Sequence, residues 1–264
     1  MPMEYCRQVP VTSNSARIVY LSPPHSVSMG DAWFEIASPD HFWFIRRFDV
    51  LNKIAGRWIK NATRVAEFGC GNGVVQAQIG DRYKANVDGY DLNQLSLQEN
   101  ISSSPLFCYD VHQRNPELAN RYDFIVLFDV LEHIDDEDGF LASVLYHLKS
   151  GGILCINVPA LQSLYSKYDK AVGHVRRYTL GQLLEVAQRN SLKPVASTYW
   201  GLPLMPLLWM RRYWIRNMPE DQIIAQGMDS RTGALNSLLR AWSRLEAVPQ
   251  QMTGTSVMTV LRKM

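Results

Sequence analysis

Cysteine is scarce in this chain of 264 residues. Four are present, at 6, 70, 108 and 155, with no C-x-x-C pair and no His/Cys spacing that reads as a zinc site. That excludes a disulfide scaffold and a zinc-stapled fold. Cys70, Cys108 and Cys155 each fall in or beside an apolar, strand-like run, which predicts small buried thiols suited to a reducing compartment. Long apolar runs are also missing. The longest, "WGLPLMPLLWM" at 200–210, has 11 residues, where a membrane-crossing helix needs about 20. The N-terminus has no apolar signal core. Charge of one sign is not in excess: the net charge is +2 and no basic run stands out, so nucleic acid is not an expected partner. No internal repeat is visible. The expectation is a soluble, cytoplasmic protein.

What is present is ample material for a core: 47% hydrophobic and 20% charged residues. Residues 1 to about 30 are Ser/Pro-rich without periodicity and read as an N-terminal extension, loose or draped over a domain spanning 31–264. Phe44, Phe48, Leu51, Ala55 and Trp58 share one face of a helix over roughly 40–60. Alternation follows. "RVAEF", "NVDGYDLN", "LFCYDV", "YDFIVLFDV" and "ILCINVP" read as strands, separated by helix-like stretches. One of these, "DDEDGFLASVLYHLKSGG", is expected to close at Gly151. Thr179 starts another helix with Gln182 three positions on, a capping box. "KPVASTYW" and "TSVMTVLRK" supply two last strands. The pattern predicts an α/β, doubly wound, mainly parallel seven-stranded sheet with a C-terminal antiparallel hairpin. Between those last strands, 201–250 is expected to form a helical lid, or substrate-pocket wall. Pro203 and Pro206 should spoil a regular amphipathic helix there, and Arg211, Arg212 and Arg216 are available for peripheral contact with a membrane surface.

In sheets of this kind ligands sit at the carboxyl ends of the strands. "EFGCGNG" places Gly69, Gly71 and Gly73 directly after a strand, where the backbone can turn sharply and a ligand can approach it. Asp91, followed by Leu92, ends the next strand 22 residues after Gly69 and could accept the hydroxyls of a ribose. Asp110, followed by Val111, ends the third, where an adenine amino group could donate to it. Phe128 and Asp129 end the fourth beside the same ligand.

With an acid at each strand end in order, the chain resembles the class I S-adenosylmethionine-dependent methyltransferases from about residue 40 onward. Glu67, Gly69, Gly71, Asp91 and Asp110 match that pattern position by position. The resemblance implies a Rossmann-like fold, S-adenosylmethionine as cofactor, and a site built from Glu67, Gly69, Cys70, Gly71 and Gly73 with Asp91, Leu92, Asp110, Val111, Phe128 and Asp129. "HFWFIRR", "GHVRRYT" and "GTSVMTVLRK" are similar to a bacterial branch of methyltransferases. That similarity implies an arginine near the cofactor carboxylate at Arg47, and small-molecule or lipid-linked acceptors. A G-x-G-x-G spacing, rather than G-x-G-x-x-G, ranks a nicotinamide-dependent oxidoreductase second. An inactive cofactor-binding partner protein is a further rival.

Methyl transfer to a hydroxyl also requires loss of a proton, and histidine is the usual base near neutral pH. His133, accompanied by Asp129 and Glu132, and His174 are the candidates. In some quinone O-methyltransferases the resemblance extends to an acid–acid–His set that holds a divalent cation, which Asp129, Glu132 and His133 could match; the reading taken has no metal ion. In "DKAVGHVRRYT", Asp169 would orient His174, while Arg176, Arg177 and Tyr178 would contact an acidic or polyhydroxylated substrate. The competing reading is an internal network that only holds the loop.

Overall fold

The computed structural model describes residues 17–25, 38–219, 223 and 233–264. The rest of the expected extension (1–16 and 26–30), and 220–222 with 224–232 of the expected lid, lie outside the described residues.

The strands are β1 (Ile18–Tyr20), β2 (Val65–Phe68), β3 (Val87–Asp91), β4 (Leu106–Cys108), β5 (Tyr122–Phe128), β6 (Leu148–Pro159), β7 (Leu192–Trp200) and β8 (Ser256–Lys263). They form one sheet in the order β1-β4-β3-β2-β5-β6-β8-β7. Pairing is parallel from β1 to β6, and β8 runs antiparallel to both β6 and β7. The expected seven strands are therefore eight. The additional one comes from the N-terminal extension, where Ile18, Val19 and Tyr20 pair with Leu106, Phe107 and Cys108. A three-residue edge strand offers too little alternation to be read from sequence.

Both faces of the sheet are covered, as alternation within β5 requires. Ile125 and Leu127 enter the core under α4 (Glu137–His147) and α6 (Leu180–Arg189). Phe124, Val126 and Phe128 enter the core under α1 (Phe42–Asn61) and α2 (Val74–Tyr83). A strand buried on both sides reads as the continuous apolar run "FIVLF". On α1, Val50, Leu51, Ile54, Ala55 and Ile59 form the buried stripe. Cys70, Cys108 and Cys155 are buried and unpaired by disulfides.

Two local expectations are corrected. Helix α4 ends at His147 and β6 begins at Leu148, so Gly151 (φ +74°) lies inside the strand rather than closing the helix. After β7, α7 (Met205–Trp214) is a regular helix. Pro203 falls in the preceding 3-10 turn and Pro206 in the first turn, where a missing N–H leaves no helical bond unmade. The short helices α3 (Gln94–Gln98) and α5 (Lys167–Ala171), and α8 (Gly233–Ser243), complete the chain. Among the described residues no helix is long and apolar enough to cross a membrane.

The strand order reverses at β2, whose neighbours β3 and β5 lead in opposite directions across the sheet. This switch point opens a crevice at the carboxyl ends of the strands. The last side chains of β2, β3 and β5 (Phe68, Asp91 and Phe128) and the residues just after β4 (Tyr109 and Asp110) face it.

Candidate functional site

A cavity of about 810 Å³ occupies that crevice. Single drug-sized ligands fill cavities from roughly 300 Å³ upward, so there is room for two molecules side by side.

At one end lies the turn after β2. Gly69, Gly71 and Gly73 all have positive φ (73°, 52° and 79°). A Cβ on Gly69 would come within 2.3 Å of Val130 Cγ2, and one on Gly73 within 2.3 Å of Asn100 Oδ1. Only glycine satisfies both the backbone and the space. Gly69, Cys70 and Gly71 line the cavity, whereas Gly73 turns the chain into α2 behind it. Asp91 accepts from the Gly71 N–H (2.8 Å) through one oxygen and from the Asn93 N–H (2.8 Å) through the other. The carboxylate thus locks the glycine turn and borders the cavity with Leu92. Asp110 accepts from His112 N–H (3.0 Å). Its own N–H donates to Ser22 Oγ (2.9 Å), so the segment just after β1 pins this corner. Asp110 and Val111 also line the cavity.

Glu67 is buried with one carboxylate oxygen unpartnered. Burial pushes its carboxyl up to about 8, against the pull of the Arg47 guanidinium. Arg47, delivered by α1, is buried, forms an ion pair with the partly exposed Asp129, and lies 4.9 Å from the Phe44 ring centre and 5.2 Å from that of Phe128. All five line the cavity. Asn157 donates to Asp129 (2.7 Å) and accepts from the Trp200 indole N–H (2.8 Å). The chain Arg47–Asp129–Asn157–Trp200 carries no sequence signal, because its members come from α1, β6, β7 and the end of β5.

At the other end Glu132, His133 and His174 converge. The 3-10 turn Leu131–His133 follows β5, and the Val175 N–H donates to Glu132 O (2.8 Å), drawing the 169–178 loop against it. His133 Nδ1–H donates to Gly173 O (3.1 Å), and His174 Nδ1–H donates to Asp169 Oδ1 (3.0 Å). The two rings meet edge to face with centres 4.8 Å apart. His174 Nε2 lies 3.8 Å from Glu132 Oε1. Both Glu132 carboxylate oxygens are buried and unpartnered, and burial holds the carboxyl well above the usual range, with the Asp129 charge adding to it. Burial and the neighbouring His174 lower His133 to about 4.

The rest of "DKAVGHVRRYT" divides between the two readings. His174 and Arg177 face the cavity, but Asp169, Arg176 and Tyr178 do not line it. Asp169 is fully buried and accepts from Ser166, His174 and Arg177 Nε (2.7 Å). Burial alone would raise its carboxyl, but the His174 bond and the Arg177 charge outweigh it and hold it below the usual range. Arg176 pairs with Glu137 (3.1 Å), and Tyr178 donates to the same carboxylate (2.9 Å). These two brace the loop against α4 instead of reaching the cavity.

Leu204, Leu207, Leu208 and Arg211 from the 201–250 segment complete one wall, with Leu235 and Leu239 from α8. Arg211 is turned inward, its guanidinium 4.1 Å from the centre of the Tyr168 ring. An inward-facing arginine looks the same in sequence as its neighbours Arg212 and Arg216, and only the helix phase separates them.

Comparison with known proteins agrees with this architecture. Residues 40–197 match the family described as methyltransferase domain. No curated protein sequence matches the chain. Among solved structures, a SAM-dependent methyltransferase from Archaeoglobus fulgidus is similar at 14% identity (TM-score 0.53), covering 84% of this chain and 94% of that one. Phosphoethanolamine N-methyltransferase 2 of Haemonchus contortus, in complex with S-adenosyl-L-methionine, is similar at 18% identity (TM-score 0.55), covering 88% of this chain and 56% of that one. The [4+2]-cyclase SpnF is similar at 18% identity (TM-score 0.50), covering 76% of this chain and 74% of that one. At these identities the structures speak for the fold alone, and SpnF marks how little fold fixes reaction. The family match spans more than half of the chain and includes the glycine turn, the acids at the strand ends and the Glu132–His133 pair, so this protein belongs to the methyltransferase domain family.

Proposed function

We propose that the protein transfers a methyl group from S-adenosylmethionine to an oxygen of a small-molecule or lipid-linked acceptor. The cofactor end has the parts such a ligand needs: a turn with glycine at 69 and 71, an acid at Asp91 for ribose hydroxyls, an acid at Asp110 for the adenine, and Glu67, with one oxygen unpartnered, beside Arg47 for the amino-acid end. Bound there, S-adenosylmethionine supplies a methyl group already activated on a sulfonium. What remains for the protein is to hold the acceptor, exclude water and provide a route for its proton.

The observation that carries the acceptor end is the bond between His174 Nδ1–H and Asp169. It fixes the tautomer, so the lone pair is on Nε2, on the side of Glu132 and the cavity. His174 takes the acceptor's proton there, and Asp169 then stabilises the imidazolium. The apolar wall from the 201–250 segment favours a largely apolar acceptor body, with the Arg211 and Arg177 guanidinium groups on the same cavity lining to favour a polar or anionic substituent. Acting on such an acceptor suits a role in small-molecule biosynthesis in the cytoplasm.

The test is turnover of S-adenosylmethionine with extract-derived acceptor pools, comparing wild type with His174→Ala. The variant should keep cofactor affinity and lose at least 100-fold in kcat. Full turnover in a folded, cofactor-binding His174→Ala protein removes His174 from the reaction.

A further inference from the structure

We propose that Glu132, His133 and His174 form a binding site for a divalent transition-series cation at the acceptor end of the cavity. The proposal deepens the reading of that end as the place where an acceptor oxygen is activated, and it departs both from the metal-free reading and from the Asp129–Glu132–His133 set that the resemblance offers, His174 standing in place of Asp129.

The cluster has what a two-histidine, one-carboxylate site requires. Each residue offers one donor atom, and the three lie within 4.8 Å of one another. Two bonds of about 2.1 Å meeting at a tetrahedral angle hold their donors roughly 3.4 Å apart. The His174 Nε2 to Glu132 Oε1 separation of 3.8 Å needs only a few tenths of an ångström of contraction.

Three further features point to a cation rather than to a chance gathering. First, Glu132 is fully buried and neither carboxylate oxygen has a hydrogen-bond donor. A buried carboxylate left so is costly unless a positive partner arrives. Second, both imidazoles are held by a bond at Nδ1, one to the Asp169 carboxylate and one to the Gly173 carbonyl. These are the outer partners that orient metal-ligating histidines and place the lone pair on Nε2. Third, the other nearby acid, Asp129, is occupied by Arg47 and Asn157, so the set is one carboxylate and two imidazoles. That donor set suits Zn²⁺, Mn²⁺, Fe²⁺ or Co²⁺, and is a poor match for Mg²⁺ or Ca²⁺. Three protein ligands leave a coordination position open toward the cavity.

An acceptor hydroxyl entering that position would form an oxygen–metal bond as its O–H bond breaks, and the proton would leave to solvent water. The cation would then do the work assigned above to His174 acting alone. The metal changes neither the oxidation state of the acceptor nor its own.

The experiment uses the full chain, free of any affinity tag, and Co²⁺ alone as probe. Titration followed by visible absorption, with equilibrium dialysis of Mn²⁺ and Zn²⁺ alongside, should give one ion per chain. Glu132→Gln should abolish it while melting at or above the wild-type temperature, since the substitution keeps the shape of a buried side chain whose carboxylate oxygens no hydrogen bond holds. His133→Ala and His174→Ala should each weaken binding at least 10-fold, and His25→Ala, an exposed histidine, should leave it unchanged. Absence of a bound ion in the wild type, or the same spectrum and stoichiometry in Glu132→Gln and His133→Ala, overturns the proposal. Binding of S-adenosylhomocysteine is read in parallel. If it persists without a metal, the methyltransferase reading stands and only the cation falls.

Discussion

Replacing Glu67 with glutamine keeps the shape of the side chain and removes a buried charge. In the unfolded chain this carboxyl ionises near 4.5, and in the folded protein near 8, because burial outweighs the Arg47 guanidinium. At intermediate pH the folded state therefore binds the proton that the unfolded state has released, so stability falls as pH rises from about 4.5 to about 8. Taken at face value the difference costs the fold on the order of 4 kcal/mol at pH 8. Relaxation around the charge should roughly halve that. A chain of this length shifts its Tm by about 2–4 °C per kcal/mol. In thermal melts without cofactor, Glu67→Gln should therefore exceed wild type by about 4–8 °C at pH 8, and the gap should close at pH 5. Saturating S-adenosylhomocysteine, whose ammonium group favours the ionised carboxylate, should raise the wild-type Tm more than that of the variant. Equal melting of the two proteins at pH 8, or a less stable variant there, would refute the assignment of Glu67 as a strained carboxyl awaiting a cationic ligand.

Gly69→Ala should cost about 1–3 kcal/mol from its positive φ and more from the approach to Val130, and calorimetry should find cofactor binding lost even where the protein remains folded. Asp91→Asn, which removes the charge that holds the Gly71 N–H, should weaken cofactor affinity by 10-fold or more in isothermal titration. Asp123 accepts from Thr63, Arg64 and Lys149 at the entry to β2 and β5. Burial, the largest single influence, raises its carboxyl, but these bonds together outweigh it and lower it to about 2. The stability it contributes is present above pH 3.8 and lost as pH falls toward 2, so Asp123→Asn should flatten the acid limb of a pH–Tm profile and change little below pH 2.

The sequence revealed those features whose signal is local. Alternating burial made β5 a continuous apolar run, the glycines after β2 marked a turn that only glycine fits, and the Thr179–Gln182 capping box reappears with both of its bonds. Acids at the ends of β3, β4 and β5 were legible because strand ends and cavity rim coincide in a doubly wound sheet. The acceptor end was less so. Asp169 to Tyr178 announces polar contacts, yet which side chain faces the cavity depends on how the loop closes over Glu132. That sends His174 and Arg177 inward and Arg176 and Tyr178 to Glu137. Glu132 looks like a surface acid until the loop buries it. Arg211 and Trp200 enter through helix phase and strand pairing, and β1 is too short to show a period.

The central claim is that the crevice beyond β2, β3 and β4 is shaped for an adenosyl sulfonium ligand. Isothermal titration of the purified protein with S-adenosylmethionine, with NAD as competitor, tests it most directly. The account predicts one site per chain, abolished by Asp91→Ala and untouched by NAD. Absence of heat with S-adenosylmethionine, or binding of NAD in its place, would contradict it.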